Sequence, residues 1–160
     1  MIIKSKLTEK DFINVTLVLL YSKTSFKIFT GTIITFFLVT LFTVVLIPKV
    51  TLSQMIVPVV MLSIAPLFTY FTAKKNYNSN QTISEAIEYQ FDKDNLIVKG
   101  ESFNSQLTWD KIYRVTQTKN WILIWQNSQI ANPIPKRDIW EGEIESLKVI
   151  LNEHRVKNNL

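Results

Sequence analysis

Few side chains in this sequence have the type and spacing to do chemistry. Asp92 and Asp94 in "DKDN" alternate like the first ligands of a calcium loop, but the glycine and the distant glutamate such a loop needs are missing. A hairpin turn is the expected role, since Asp and Asn bond readily to nearby backbone. Glu141, Glu143 and Glu145 open a C-terminal amphipathic stretch, where a helix macrodipole favours anions, and they are expected to form a solvated capping face. A catalytic carboxylate pair would need a cleft and shifted pKa values, which nothing in the pattern indicates. His154 is the only histidine and cysteine is absent, so no metal site, nucleophilic dyad or cofactor is expected. Gly31, Gly100 and Gly142 form no phosphate-cradling loop. These absences point away from an enzyme.

Two other groups are candidate contact residues. In "NPIPKRDIW", Pro133 and Pro135 fix φ and remove two donors, which predicts an edge strand ending in a stiff connector. Asp138 is then expected as N-cap of the last helix with Glu141 at N3. That leaves Lys136 and Arg137 beside the positive end of a macrodipole, where helix stability alone would not place cations. Either Asp138 and Glu141 neutralise them, or they meet an anionic surface, lipid headgroups or an acidic partner patch. In "WILIW", Trp121, Leu123 and Trp125 alternate with Ile122 and Ile124, so both faces of that strand are apolar. One face belongs to the core. The other needs cover from the N-terminal helix, the bilayer surface or another protein, so Trp121 and Trp125 are candidate interface or core aromatics.

The elements that must position these residues begin with a composition too apolar for one ordinary soluble domain: 47% hydrophobic over 160 residues. The excess lies in Ile28 to Ala73, whose only charge is Lys49. As one helix that tract would run about 69 Å, more than twice a bilayer core of about 30 Å. It must cross twice. Pro48-Lys49 marks the break, because Pro disfavours helix before it and a Lys at the bilayer centre would cost roughly 2.5–3.5 kcal/mol. The expected spans are residues 28–47 and 50–73. Pro58 and Pro66 should bend the second, with freed carbonyls facing the partner helix or Ser63. Lys23 and Lys27 before the hairpin and Lys74 and Lys75 after it, against Lys49 alone in the turn, predict a multi-pass protein of the plasma membrane with both termini cytoplasmic. No cleavable signal peptide is expected, because the short apolar stretch Phe12 to Ser22 is flanked by Asp11 and lacks a small-residue cleavage site.

Residues 1–27 form the N-terminal segment. Thr8 with Asp11 resembles a capping box, and a helix is predicted from Glu9 to Lys23. Its apolar residues lie all round the wheel, so it either sits in the inner membrane interface or packs on the cytoplasmic domain. Residues 74–81 are read as a polar linker. From residue 82 the period becomes two, predicting strands over Ile83 to Phe91, Leu96 to Lys99, Phe103 to Trp109, Ile112 to Thr118, Trp121 to Gln126 and Gln129 to Ile134. Trp109 should point inward against a final helix whose stripe is Ile139, Ile144, Leu147, Ile150 and Leu151. The fold class is thus an α+β membrane protein: an interfacial helix, a two-helix hairpin, and a small half-open β-barrel or meander of six to seven strands over residues 82–160, capped by a C-terminal helix.

Leu7-Thr8 with Asp11-Phe12, the paired spans, Trp109-Asp110-Lys111-Ile112, and Ile134-Pro135-Lys136-Arg137 together resemble the YcxB-like family of small bacterial membrane proteins. That resemblance implies a membrane location and a soluble part similar to pleckstrin-homology-like domains, with no settled activity. Phosphoinositide sites of such domains use a basic loop between the first two strands. Taken as that loop, Asp92 to Asn95 is net acidic, so a lipid site is not carried over.

The net charge is +5. It is spread as +3 over residues 1–27, +3 over 101–137 and −2 from Asp138 onward, beside two apparent spans. Anionic lipid explains this better than nucleic acid, for which neither a recognition helix nor an aromatic-basic platform is visible. The functional expectation is a non-enzymatic, membrane-anchored binding or scaffold module. Its partners are the lipid bilayer and a protein or a second copy of the chain. The alternative expectation is a small envelope protein of immunity or stress protection.

Overall fold

The structure, a computed structural model, describes residues 1–46 and 56–160. The expected break at Pro48-Lys49 and the start of the second span lie outside these residues. The described chain is α+β and divides into two compact units, Met1–Phe12 with Tyr77–Leu160, and Ile13–Asn76.

The first unit is built from strands β1 (Ile2–Lys6), β2 (Ala86–Phe91), β3 (Asn95–Lys99), β4 (Asn104–Thr108), β5 (Arg114–Gln117), β6 (Trp121–Trp125) and β7 (Ala131–Pro135), and from helix α4 (Glu141–Glu153). The predicted period-two segments are β2 to β7, with ends shifted by up to three residues: most are shorter than expected, whereas β3 begins one residue earlier, at Asn95, and β7 runs one residue further, to Pro135. β1 was not foreseen. It is short, and its partner is distant in sequence: Ile3 faces Tyr89 and Lys6 faces Ala86 in an antiparallel register. Buried Ile3 and Ser5 alternate with exposed Ile2, Lys4 and Lys6, as an edge strand with one wet face requires.

Two antiparallel sheets result, ordered β1-β2-β3-β4 and β5-β6-β7. This corrects the barrel expectation, because no ladder joins β4 to β5. The chain between them makes a 3-10 turn at Trp109–Lys111 that carries the Trp109 indole into the core. At the other edge Pro133 and Pro135 lack donors to extend a ladder. Ile3, Tyr89, Leu96 and Val98 from one sheet, Val115, Ile122, Ile124 and Ile134 from the other, and Leu147 and Leu151 from α4 form one cluster. Trp109 lies between Phe91, at 6.4 Å, and His154, whose ring stacks at 5.1 Å and 11°. Its Nε1 donates to the Asp92 carbonyl, so the polar end of the buried indole is satisfied. The "DKDN" segment is a hairpin turn as expected, with Asp92 N donating to Asn95 O, but it joins β2 to β3.

α4 ends in a Schellman arrangement: Val156 N donates to Leu151 O and Arg155 N to Asn152 O, with Arg155 at φ 55° and Val156 buried. The helix starts later than the sequence suggested. Asp138 is not its cap, because Lys136–Asp138 forms a 3-10 turn whose acid is drawn to other partners; Trp140 takes the N-cap position. There Trp140 N donates to the Glu143 carboxylate and Glu143 N to the Trp140 carbonyl.

The second unit is helical. Helix α1 (Glu9–Ser22) begins in the first unit and continues into this one, followed by α2 (Thr24–Leu46) and α3 (Ile56–Ser79). Thr32, Ile33 and Phe36 of α2 and Val57, Pro58 and Met61 of α3 line a single apolar cavity. Hydroxyls of Thr32, Thr35 and Thr40 donate to carbonyls one turn back, so these polar groups are satisfied within α2. Ser63 likewise donates to Val59 O, not to the Leu62 carbonyl that Pro66 deprives of its donor. The expected polar linker is the last two turns of α3, which runs on to Ser79. A 3-10 turn over Gln81–Ser84 follows, capped by the Asn80 side chain on Thr82 N, so Ile83 lies outside the strand. Asn is a weak helix former, but tertiary contacts of Tyr77 hold this turn.

Two stability predictions follow from the core. Trp109→Ala removes a fully packed ring and should cost about 3–5 kcal/mol, read as a lower chemical-denaturation midpoint of the purified full chain. Ile3→Ala should cost about 2–5 kcal/mol although it lies far in sequence from the other strands. Denaturation of Ile3→Ala at the wild-type midpoint would show that β1 is dispensable.

Candidate functional site

The polar side chains of the first unit converge where β1 ends and α1 begins. The Thr8 hydroxyl accepts from Asp11 N at 3.2 Å, and the Asp11 carboxylate accepts from Thr8 N at 2.9 Å, so the capping box expected from the sequence is present. The same carboxylate receives both terminal nitrogens of Arg137: Nη1 to Oδ1 at 2.7 Å and Nη2 to Oδ2 at 2.6 Å. Arg137 Nε also lies 3.4 Å from Asp138 Oδ1, and Asp138 Oδ2 accepts the buried Ser5 hydroxyl at 2.7 Å. On the other side of this start, Tyr77 in the last turns of α3 donates its hydroxyl to Leu7 O, and its ring lies 6.2 Å from Phe12.

These contacts form a clamp. It ties the outgoing end of β1, the first turn of α1, the end of α3 and the 3-10 turn before α4. Asp11 is 7% exposed, whereas the Arg137 side chain is 53% exposed, so the anion is the desolvated partner. The Arg137 fork, assisted by the Thr8 donors and opposed by burial, holds the Asp11 carboxyl well below the ordinary carboxylate range. The guanidinium is correspondingly held in its charged form, chiefly by Asp11. Nothing here is poised for proton transfer. Both groups stay ionised at neutral pH, which suits a structural tie rather than general acid or base work.

The candidate cations therefore part company. Arg137 turns to Asp11 and Asp138, where the sequence suggested Asp138 and Glu141; Asp11 carried no local sign of this, being 126 residues away. Lys136 points elsewhere and donates to Gln117 Oε1 at 2.7 Å. Trp121 and Trp125 are buried, with all of β6, inside the chain itself, and Trp125 Nε1 donates to Thr116 Oγ1 at 2.8 Å. Beside the clamp, Arg137, Asp138, Ile139 and Trp140 line a shallow depression. It offers two already engaged charges and an exposed indole, which can bind but have no nucleophile or proton carrier among them. Among the described residues no three His, Asp or Glu side chains gather as a metal site would require.

Residues 91–148 match the family model described as YcxB-like protein. Over that segment the chain is similar to the YcxB-like family. The matched segment runs from the end of β2 into α4 and includes Trp109, Arg137 and Trp140, while Asp11 and β1 lie outside it. No curated protein and no solved structure matches the chain.

Arg137→Gln leaves the desolvated Asp11 carboxylate without its cation and should cost about 1–3 kcal/mol, while Lys136→Gln, which loses one bond to a neutral amide, should stay within about 0.5 kcal/mol. The pH dependence has a definite sign. Asp11 has a depressed folded-state pKa, so its contribution is complete above the unfolded value near 3.8 and is lost as pH falls from there through the folded value. Denaturation midpoints should therefore drop in acid for the wild type, and Asp11→Asn should be less stable at neutral pH but show a shallower acid loss. Parallel pH profiles would contradict the clamp.

Proposed function

We propose that this chain is a non-enzymatic, membrane-anchored binding module, with α2 and α3 crossing the plasma membrane as a hairpin and both termini in the cytoplasm. The single observation that carries this reading is the register of β1 with β2. Lys6 pairs with Ala86, so the chain leaves the sheet at Lys6 and re-enters it at the same end of the same ladder. Whatever lies between must return to the side it left, which requires an even number of crossings. Two helices in that interval are long and apolar enough to cross a membrane. A core helix of a water-soluble protein would be covered, yet only 11% of each apolar window is buried, and Phe36, Phe42, Phe68 and Phe71 are each more than half exposed. Lipid is the solvent that suits such surfaces. Lys23, Lys27, Lys74 and Lys75 at the two ends favour the cytoplasmic side for both.

The two sheets of four and three strands closed by α4 support a pleckstrin-homology-like fold for the first unit. On that reading the connection between the first two strands is the whole membrane-bearing segment from Leu7 to Glu85, not Asp92 to Asn95. Such a unit works by presenting surface to a protein partner, a second copy or the inner leaflet.

Because the chain lacks cysteine, topology is directly testable. A cysteine placed at Lys49 should react with an impermeant thiol reagent added to intact cells. Cysteines at Asn78 and Asn159 should react only after permeabilisation. Labelling of Asn159 in sealed cells would end the hairpin reading.

A further inference from the structure

The two sheets of the first unit have four edges, and three carry a device against further pairing. β1 presents exposed Lys4 and Lys6, Pro133 and Pro135 blunt β7, and the tail seals β5 through the bond from Val115 N to Lys157 O. β4 has none of these. Asn104–Thr108 reads NSQLT, without charge or proline, and among the described residues no strand pairs with its outer side.

The ladder with β3 decides which groups are free. Gly100 N donates to Phe103 O, so by the alternation of an antiparallel pair the bonded partners further along are Val98 with Ser105 and Leu96 with Leu107. The main-chain groups of Asn104, Gln106 and Thr108 therefore point away from β3, and these three residues are exposed. Of those groups only the Thr108 carbonyl is taken, by the 3-10 turn that starts there.

This edge is complementary to itself. Two β4 strands laid antiparallel about Gln106 set Gln106 opposite its own copy and Asn104 opposite Thr108. Gln106 N and O then bond in both directions, and each Thr108 N meets the other Asn104 O, about four bonds in all. Ser105 comes beside Leu107, which gives that half-buried leucine of the core further cover. Glu101 lies three residues before the strand and Lys111 three residues after it, both exposed, so each glutamate comes opposite the lysine of the other chain. A parallel copy in register would set like charges together instead.

We propose that β4 is a docking edge for a second copy of this chain, joined antiparallel about Gln106 into one continuous sheet. This deepens the binding-module reading and rests on it, because a short edge makes a weak contact in free solution, and anchoring both copies in one membrane raises their effective concentration. The chain lacks cysteine, so the register is tested by oxidative cross-linking of full-length protein in native membranes. Bonded antiparallel pairs bring Cα atoms to about 5.5 Å, inside the range of about 4.4–6.8 Å that a disulfide spans. Gln106→Cys should give a dimer on non-reducing gels. Asn104→Cys and Thr108→Cys should cross-link when expressed together and not singly. Gln106→Pro removes an outward donor that β3 does not use, so the denaturation midpoint should hold while cross-linking of the Asn104→Cys and Thr108→Cys pair falls about tenfold. Glu101→Lys should lower Gln106→Cys cross-linking and added Lys111→Glu should restore it, a reversal that does not depend on the proline variant folding. Absence of a Gln106→Cys dimer while a cysteine at Asn159 stays shielded in sealed cells overturns the docking proposal alone. Equal cross-linking of Asn104→Cys by itself, a folded proline variant that cross-links as before, or charge reversal without effect overturns it too. Capture of Gln106→Cys by a different protein assigns the edge to another partner, which ends this proposal and leaves the binding-module reading standing. Labelling of Asn159 in sealed cells overturns the hairpin, and the docking proposal with it.

Discussion

The pairing of β1 with β2 is the constraint on which the remaining organisation depends. Five consecutive residue pairs, from Ile2 opposite Gln90 to Lys6 opposite Ala86, close a connection that contains α1, α2 and α3 among its described residues. Closing a long loop is less costly than its length suggests, because the entropic cost grows only with the logarithm of length. A helical connection is stiffer than a flexible loop, so its ends must also be presented at the right separation. The contacts of Tyr77 with Leu7 and Phe12, and of Arg137 with Asp11, fix those ends where the ladder stops.

Asp11 shows how one carboxylate can serve two levels of structure. Locally it completes the reciprocal cap with Thr8 and starts α1; globally it receives the Arg137 fork. These roles do not compete, because a carboxylate has about four lone-pair sites: Oδ2 accepts from Thr8 and Arg137 Nη2, and Oδ1 accepts from Arg137 Nη1. The geometry also explains why Arg137 and not Lys136 takes the place. A planar fork can meet both oxygens at once, whereas an ammonium acts as a point charge. About half of the Arg137 side chain remains exposed, which limits its own desolvation, while the buried anion accepts from Thr8 and from both terminal nitrogens of Arg137.

What could be read from the sequence followed local period and local chemistry. The apolar tract, the six later strands, the Thr8–Asp11 cap, the inward Trp109 and the edge strand with Pro133 were all legible, because each depends on residues within a few positions of one another. β1 was not: five residues with one alternation carry too little signal, and what makes Ile2–Lys6 a strand is the exposed edge of β2. The start of α4 was misplaced because Asp138 has the right type for a cap, but Ser5 and Arg137 claim its oxygens. His154 gave no sign of its stack on Trp109, since ring stacking across a fold has no sequence period. The clamp was half visible. Both cations in "KR" stand out in the sequence, but their partners Asp11 and Gln117 are set by topology alone.

The position of β1 in the sheet explains why such an insertion is compatible with a stable core. A central strand must satisfy ladders on both sides at once and would have to be in place before either neighbour could pair. An edge strand adds to a sheet that β2, β3 and β4 can form from consecutive hairpins. β1 contributes one buried apolar residue, Ile3, with the Met1 amino group on Phe91 O and a Lys4–Glu88 pair at 3.2 Å on its wet side. The other sheet is protected differently: Pro133 and Pro135 blunt β7, and the tail seals β5 through Val115 N to Lys157 O and Gln117 to Asn159. The free edge left for a distant segment is therefore on the first sheet, and β1 fills it with a polar outer face that discourages further strands.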